Sequence, residues 1–257
     1  MPENEIDWPA YLREFHEASP GCTERLLSRA VAGDHTPYRW LCRAVSGEAK
    51  RILDLACGNG PVARELHGRW VVSADISAAE LAGAPGPKAL ADALHMPFAN
   101  EAFDVVTCSM GLMVLQPLPD ALAEIARVLR RGGVLAATVP AVRPLRRSDL
   151  GIVTSLTTRL RSTPQFPAGS EITGLRDELR AAGFDVLESQ RERYAYQVRS
   201  VADAQNLIRS LYLPGTTDAR REAAATWLGE KAEGRGELEV AIPVRRIVAM
   251  RTKVALG

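Results

Sequence analysis

The chain reads Ile52-Leu53-Asp54-Leu55-Ala56-Cys57-Gly58-Asn59-Gly60-Pro61 at the point that decides its fold. The apolar run predicts a strand, which leads through a turn with two glycines into a short helix expected over 62–67. Gly58 and Gly60 carry no Cβ, so backbone N–H groups can approach a ligand at the helix N-terminus. A strand that turns tightly into a helix without any ligand would have the same pattern, so this stretch alone does not settle function.

Three further apolar runs end in polar residues, in chain order, after the glycine turn. Asp75 ends the first run about 20 residues on, at the spacing where a carboxylate accepts both hydroxyls of a ribose. Asp92 lies at the end of the next run and suits the exocyclic amine of an adenine. The fourth run ends in Ser109 and Met110. Four such strand ends predict a site for a ligand with an adenosine-like body and a polar head.

With these motifs the chain resembles a class I S-adenosylmethionine-dependent methyltransferase, of the branch with quinone-biosynthesis and small-molecule tailoring enzymes. The resemblance covers Arg51 to Pro140 closely, and it implies S-adenosylmethionine as cofactor and S-adenosylhomocysteine as product. It also implies a set of cofactor-binding residues, namely Asp54, Ala56, Cys57, Gly58, Gly60, Asp75, Ile76, Asp92, Ala93, Ser109 and Met110. Many relatives carry a histidine pair after strand four, where this chain has Met113-Val114, so no role of those histidines carries over.

Helical and strand patterns continue beyond the fourth run. Helical periodicity over 118–129 ends at a glycine pair, and apolar runs at 134–139, from 184 and over 242–250 predict strands five to seven. Together with the resemblance, these patterns predict an α/β fold with a Rossmann-like seven-stranded sheet of order 3-2-1-4-5-7-6. Strand seven is antiparallel in this family, and helices are expected on both faces. The ligand is expected beyond the carboxyl ends of the strands, where the order reverses after strand one.

Three segments are not needed for that core. Residues 1–47 are interpreted as an N-terminal helical lid, and residues 48–257 as the core with lid insertions at about 141–170 and 199–237. Aromatic residues make up 5% of the chain, and the N-terminal segment concentrates several of them. This concentration favours a cover over the cofactor and an acceptor, although the same rings could simply attach a helix pair to the core.

Methyl transfer requires alignment, and a general base only where the acceptor atom carries a proton of high pKa. His16 is the candidate base because it lies among the lid aromatics and histidine is the residue type suited to general-base chemistry near neutral pH. A packing or surface histidine is the alternative. The candidate substrate-pocket residues are Tyr11, Phe15, Tyr38, Met113, Tyr194 and Tyr212. The expected reaction is methylation of an oxygen or carbon of a small, partly hydrophobic molecule, natural-product or quinone-like.

The motif by which nucleobase and glutamine methyltransferases hold a planar amine, Asp/Asn-Pro-Pro-aromatic, does not follow strand four, where the chain reads Ser109-Met110-Gly111-Leu112. The net charge is +1 with acids and bases intermixed, which argues against nucleic acid as a partner. No apolar run has the length of a membrane span, and the four cysteines show no metal spacing. We therefore expect a cytoplasmic enzyme with a small-molecule substrate, without metal or membrane partner, and leave its oligomeric state open.

Two other functions remain as alternatives. A nicotinamide-dependent oxidoreductase would also use a glycine turn followed by an acid, and residues 58–63 fit its GxGxxA pattern. Asp54 within strand one and the adenine-side Asp92 argue against it. The other alternative is a protein of the same fold that keeps the cofactor without methylating, as a cyclase or a partner activator, and the missing histidine pair leaves this open.

Overall fold

The computed structural model describes residues 6–167 and 174–252. The helices in these ranges are α1 (Trp8–Ala18), α2 (Cys22–Leu27), α3 (Pro37–Cys42), α4 (Pro61–Glu65), α5 (Ala78–Leu81), α6 (Leu118–Val128), α7 (Arg147–Leu160), α8 (Leu175–Ala181), α9 (Val201–Arg209) and α10 (Asp218–Glu233). The strands are β1 (Ala30–Val31), β2 (Ile52–Leu55), β3 (Val71–Asp75), β4 (Lys88–Leu90), β5 (Phe103–Ser109), β6 (Leu129–Pro140), β7 (Phe184–Val198) and β8 (Leu238–Arg251).

All the strands of the described ranges form one sheet in the order β1-β7-β8-β6-β5-β2-β3-β4. The pairs from β4 through β3, β2 and β5 to β6 are parallel, whereas β8 runs antiparallel to both β6 and β7. The direction of the chain order reverses at β2, because β3 lies on one side of it and β5 on the other. The carboxyl ends of these three strands therefore meet at one edge of the sheet.

The predicted number of seven strands is wrong, since the sheet has eight strands and its order begins with β1. This added strand pairs antiparallel with β7 through Ala30↔Tyr196 and Val31↔Ala195. It forms because the strand that begins at Phe184 runs for 15 residues to Val198 and offers a free edge at Ala195 and Tyr196. A free edge offers unpaired N–H and C=O groups, with which β1 can pair. The sequence did not predict β1, because two residues are too few to show the pattern of a strand.

The junction of α6 and β6 also differs from the prediction. The glycine pair Gly132-Gly133 was expected to end the helix, but α6 ends at Val128 and the pair lies within β6. A Cβ at Gly133 would lie 2.8 Å from the Arg130 carbonyl oxygen and 3.0 Å from that of Asp104. Glycine is needed here for close approach of the backbone beside a register shift in β5, which a pattern of apolar residues does not reveal.

Helices cover both faces of the sheet, as the alternation of side chains along its strands requires. On one face, Leu53 of β2 packs in a cluster with Leu122 of α6 and Leu179 of α8. On the other, Ile52 packs with Leu41 of α3 and Val62 of α4. Burial on both faces explains why the strand reads as a continuous apolar run.

The helices of the two insertions pack on each other. Leu156 of α7, Leu207 of α9 and Leu228 of α10 share an apolar cluster with Tyr196 of β7 and Val240 of β8. They therefore form a separate helical layer on the extended ends of these two strands. No helix in the described ranges is both long and apolar enough to span a bilayer.

Candidate functional site

A cavity of about 650 Å³ lies at the carboxyl ends of β2, β3 and β5 and is closed on one side by α1. Ten predicted cofactor residues line it, namely Asp54, Ala56, Cys57, Gly58, Asp75, Ile76, Asp92, Ala93, Ser109 and Met110. Gly60 does not line it. The glycine turn and the ends of the following strands thus face one common space, as the topology requires.

The glycine turn is fixed by positive φ angles and by packing. Ala56, Gly58 and Gly60 have φ angles of 50°, 53° and 80°. A Cβ at Gly60 would lie 2.5 Å from Cδ of Pro85 and 2.9 Å from Cα of Ala84. Gly60 therefore serves the close approach of two turns, and Gly58 is the glycine that faces the cavity.

Asp75 ties the end of β3 to the glycine turn. Its Oδ2 accepts a hydrogen bond of 2.8 Å from Gly58 N–H, and its Oδ1 accepts one of 2.9 Å from Ser77 N–H. Burial raises the pKa of this carboxyl, and the two backbone donors act in the opposite direction. An ionised carboxylate has about four acceptor sites, so two bonds leave capacity for the hydroxyls of a ligand.

Asp54 is fully buried at the end of β2 and holds one oxygen without a partner. Its Oδ1 accepts a bond of 2.9 Å from the Thr107 hydroxyl, whereas Oδ2 is buried and accepts none. Burial raises the pKa of this carboxyl to about 8, and the nearby Asp75 charge acts in the same direction. A buried acceptor without a donor is costly, so its position on the cavity wall points to a donor that a ligand supplies.

Glu24 of α2 is a second such acceptor, and sequence reasoning missed it. Its Oε2 is buried without a hydrogen bond, and the residue lines the same cavity. Its Oε1 lies 3.4 Å from Nη1 of Arg64, which leaves the other oxygen free for a ligand. Glu24 lies 30 residues before Asp54 in the sequence, outside any motif, and only the tertiary fold brings it to the cavity.

The opposite part of the wall is apolar. Met110, Val114 and Leu115 line it after β5, and Trp8 and Leu12 line it from α1. Ile76, directly after the β3 carboxylate, is 72% exposed although it is a large apolar residue. An exposed isoleucine on a cavity wall is suited to contact with a flat ring of a ligand.

Three polar side chains form a connected chain on the α1 side of the cavity. His16 Nδ1 lies 3.1 Å from Glu80 Oε1, and His16 Nε2 lies 3.0 Å from the Tyr212 hydroxyl. Gly21 N–H donates to both carboxylate oxygens of Glu80, at 3.1 and 3.0 Å. The sequence predicted His16 and Tyr212 as site residues but not Glu80, whose only signal was an acid five residues after Asp75.

The remaining predicted pocket residues lie at different depths. Tyr38 lines the cavity with Tyr212, whereas Tyr11 and Phe15 pack behind the wall against the Tyr212 ring. Met113 is buried in the sheet core and Tyr194 is buried beside Trp40 and His35, so neither reaches the cavity. The prediction of Met113 and Tyr194 as pocket residues is therefore wrong, because residue type does not distinguish the cavity wall from the packed core behind it.

The two insertions contribute little to this wall. From residues 199–237, Tyr212 is the lining residue, and none of the described residues in 141–167 lines the cavity. The insertions instead support the wall from behind, because Leu213 N–H donates to the Tyr11 hydroxyl at 2.8 Å and the Phe166 ring packs 5.7 Å from that of Tyr212.

Comparison with known proteins identifies the core of the chain. Residues 53–137 match the model of a family described as a methyltransferase domain. A demethylmenaquinone methyltransferase of Mycolicibacterium paratuberculosis is 43% identical over 94 residues, which are 35% of this chain and 41% of the relative. That of Mycobacterium tuberculosis is 42% identical over the same length, with 35% and 40% covered. The chain thus spans about two fifths of the length of these relatives.

Solved structures of low identity share the fold. Phosphoethanolamine N-methyltransferase 2 of Haemonchus contortus, solved with S-adenosyl-L-methionine, matches with a TM-score of 0.57 and 14% identity, over 98% of this chain and 62% of that one. The [4+2]-cyclase SpnF matches with a TM-score of 0.54 and 22% identity, over 84% of this chain and 80% of that one. The sheet and the cavity define a class I methyltransferase fold. Residues 53–137, which contain the glycine turn and the strand ends, match the methyltransferase domain of that family.

Proposed function

We propose that the protein transfers a methyl group from S-adenosylmethionine to an oxygen or carbon of a small, partly hydrophobic molecule, natural-product or quinone-like. The unpartnered buried oxygen of Asp54 on the cavity wall carries this proposal, together with the matched domain. An acceptor that the protein leaves without a donor suits a ligand that brings a charged donor. The α-ammonium of the methionine part of the cofactor is such a donor.

The charges on the cavity wall favour a cationic ligand. Carboxylates outnumber cationic side chains on this wall. The acidic residues are Glu17, Glu24, Asp54, Asp75, Glu80 and Asp92. The cationic residues are Arg13 and, when protonated, His16. S-adenosylmethionine brings a sulfonium and an ammonium to this wall. A nicotinamide dinucleotide would bring a pyrophosphate, and like charges in a partly buried site repel. This balance disfavours the oxidoreductase alternative.

Each part of the wall suits one part of the cofactor. Asp75 is proposed to accept the ribose hydroxyls, with Ile76 against the adenine face and Asp92 at its exocyclic amine. Asp54 and Glu24 are proposed to hold the ammonium. The bound sulfonium supplies the reactive methyl group, so the task of the chain is to hold donor and acceptor in line, which can contribute roughly 7 to 11 kcal/mol to lowering the barrier.

The acceptor is proposed to lie against the apolar wall of Met110, Val114 and Leu115, opposite the acids. The curated relatives are named demethylmenaquinone methyltransferases, which favours a quinone-like ring among small apolar acceptors. The intermixed surface charge and the free cysteines favour a cytoplasmic enzyme that uses neither nucleic acid nor a membrane as partner.

Incubation with methyl-labelled S-adenosylmethionine and extract of the source cells tests this function. We expect one small, partly apolar product to gain the label, detected by mass spectrometry, and Asp75→Ala to reduce that gain at cofactor concentrations below saturation. An extract in which no compound is labelled, although S-adenosylhomocysteine binds, would contradict methyl transfer. That result would favour the alternative of a cofactor-retaining protein that does not methylate, a role the fold also permits.

A further inference from the structure

The chain of Glu80, His16 and Tyr212 joins three distant parts of the sequence inside one cavity. Glu80 lies on α5, His16 on α1, and Tyr212 follows α9. All three line the cavity that also contains Asp54 and Asp75. The set is not needed to attach α1, because the partly buried Tyr11, Leu12 and Phe15 already pack that helix against the core.

The chemistry of the three groups fixes the direction of their hydrogen bonds. An ionised carboxylate only accepts, so His16 donates its Nδ1–H to Glu80 and keeps a lone pair on Nε2. Burial raises the pKa of the Tyr212 phenol, which therefore keeps its proton and donates it to Nε2. Glu80 thus selects the tautomer whose free nitrogen lies at the tyrosine hydroxyl.

Glu80 is itself held in place. The Gly21 nitrogen lies within 3.1 Å of both of its oxygens, and the residue is 5% exposed. A buried carboxylate behind an imidazole, with a hydroxyl at the far nitrogen, is the arrangement of a positioned general base. If these contacts only attached α1 to the rest of the fold, one of them would be enough.

Aromatic packing behind the cavity wall holds the Tyr212 ring. Ring centroids of Phe15, Phe166 and Tyr11 lie 4.6, 5.7 and 6.3 Å from that of Tyr212. On the cavity side, the Tyr212 hydroxyl and the His16 imidazole share the wall with Trp8 and Leu12. One hydroxyl and one imidazole on an apolar wall suit a flat acceptor that presents an acidic hydroxyl.

We propose that the acceptor is a phenol or an enol, that His16 takes its hydroxyl proton through Tyr212, and that Glu80 is the positioning residue for His16. This inference rests on the proposed function, and it narrows the acceptor class. In the step, the acceptor O–H bond breaks and its proton passes to the Tyr212 oxygen, while the Tyr212 proton passes to Nε2. The acceptor oxygen forms the bond to the methyl carbon, and the pair of the breaking C–S bond stays on sulfur.

Matched probe compounds test the acceptor class. We expect wild-type protein with methyl-labelled S-adenosylmethionine to methylate 2-naphthol or 1,4-dihydroxynaphthalene on oxygen and to leave 2-naphthylamine unchanged, as read by mass spectrometry. Labelling of the amine, labelling of ring carbon alone, or no labelling of either hydroxyl compound would overturn the inference. Calorimetry with S-adenosylhomocysteine on the same sample separates the two proposals, because absent cofactor binding would contradict the proposed function itself.

Variants test the proton path with the naphthol probe. His16→Gln is expected to lower kcat by about 10² to 10⁴-fold, and Tyr212→Phe to lower it by at least about tenfold without loss of the ring packing. Glu80→Gln is expected to lower kcat and move the acidic limb of the kcat/KM profile to lower pH, because a negative neighbour favours the protonated imidazole. Glu80 and Tyr212 contact His16, and the Asp75 carboxylate interacts with its charge. Arg13 and Glu17 of α1 line the same cavity.

Control variants come from the same chain. Glu14→Gln changes an exposed acid on α1 outside the cavity, and His67→Gln changes an exposed histidine after α4, so both are expected to keep the wild-type profile. All variants are compared at equal cofactor occupancy, set by calorimetry. Glu80→Gln and His16→Gln could instead bind the cofactor and keep both the wild-type kcat and the acidic limb of the kcat/KM profile. In that case Glu80, His16 and Tyr212 only attach α1 to the core, and the inference is wrong.

Discussion

Asp54 has a pKa raised to about 8 by burial, against roughly 3.9 for an aspartate in an unfolded chain. Between about pH 4 and pH 8 the unfolded chain loses a proton that the folded chain keeps, so the free energy of unfolding falls as the pH rises. We expect Asp54→Asn, which removes this titration and preserves the shape, to raise the melting temperature of the ligand-free protein at pH 8. The gain should shrink toward pH 5, as measured by circular dichroism.

The control for this variant is Asp177→Asn, an acid whose side chain is 82% exposed on α8. Its melting temperature should stay close to that of the wild type at every pH, since surface charges contribute little to stability. Melting profiles of the wild type and Asp54→Asn that run parallel from pH 5 to pH 8 would show that Asp54 has an ordinary pKa.

Asp75 joins the binding role proposed for it to a structural one, because it accepts from the N–H groups of Gly58 and Ser77. Asp75→Ala removes the proposed acceptor of the ribose hydroxyls and loosens the glycine turn. We expect it to weaken binding of S-adenosylhomocysteine by about 1 to 3 kcal/mol, or roughly tenfold to more than a hundredfold, in calorimetric titration. Affinity equal to that of the wild type would remove Asp75 from the site.

The Gly60→Ala variant tests the packing of the glycine turn separately from cofactor binding. Its φ of +80° and the 2.5 Å approach of a new Cβ to Pro85 make Gly60→Ala strained. We expect a loss of about 1 to 3 kcal/mol in the free energy of unfolding, measured by urea denaturation. Gly151→Ala, in α7 with nothing within 4 Å of its new Cβ, is the matched control and should be neutral or stabilising. Equal effects of both changes would contradict this packing role.

At the scale of elements, we interpret α1 as a cover that opens without unfolding the sheet. None of its residues is buried, and its attachments are side-chain contacts of Tyr11, Phe15 and His16 to Tyr212, Leu213 and Glu80. An element with few buried apolar contacts belongs to the part of a fold that opens at low free energy. The N-terminal lid is therefore our interpretation of residues 1–47.

Phe15→Ala is expected to speed hydrogen exchange of the α1 amides by about tenfold or more while β2 and β5 exchange as in the wild type, because it removes the 4.6 Å ring contact to Tyr212. Saturating S-adenosylhomocysteine should slow this exchange in both proteins. Leu187→Ala, at an exposed position of β7, serves as the control and should leave α1 unchanged. Equal acceleration in the sheet would mean that α1 and the core unfold together.

At the scale of the whole molecule, the sequence predicted what local patterns encode. The resemblance to class I methyltransferases is confirmed, and the strand ends that carry Asp54, Asp75 and Asp92 do meet at one cavity. These predictions succeeded because an apolar run, a glycine turn and an acid at fixed spacing are readable in one short stretch. The topology of parallel strands then brings successive ends together.

Other features depend on contacts that no local pattern contains. The β1 strand has only two residues, and its pairing depends on how far β7 extends. Glu24 and Glu80 reach the cavity only through the placement of α2 and α5, and their charges look like those of any surface helix. Tyr194 and Tyr212 are both buried tyrosines of the chain's second half, yet one faces Trp40 and the other the cavity. Residue type thus indicates that a tyrosine is buried, but not which residues it packs against.

The cavity is proposed to hold a sulfonium nucleoside and not a dinucleotide, and calorimetric titration of the purified protein is the direct test. Titration with S-adenosylhomocysteine should give one binding site per chain, and titration with NADH should give no binding heat. A thermal shift should agree, since ligand at 100 times its Kd stabilises by about 2.7 kcal/mol. Binding of NADH in place of S-adenosylhomocysteine would contradict the account.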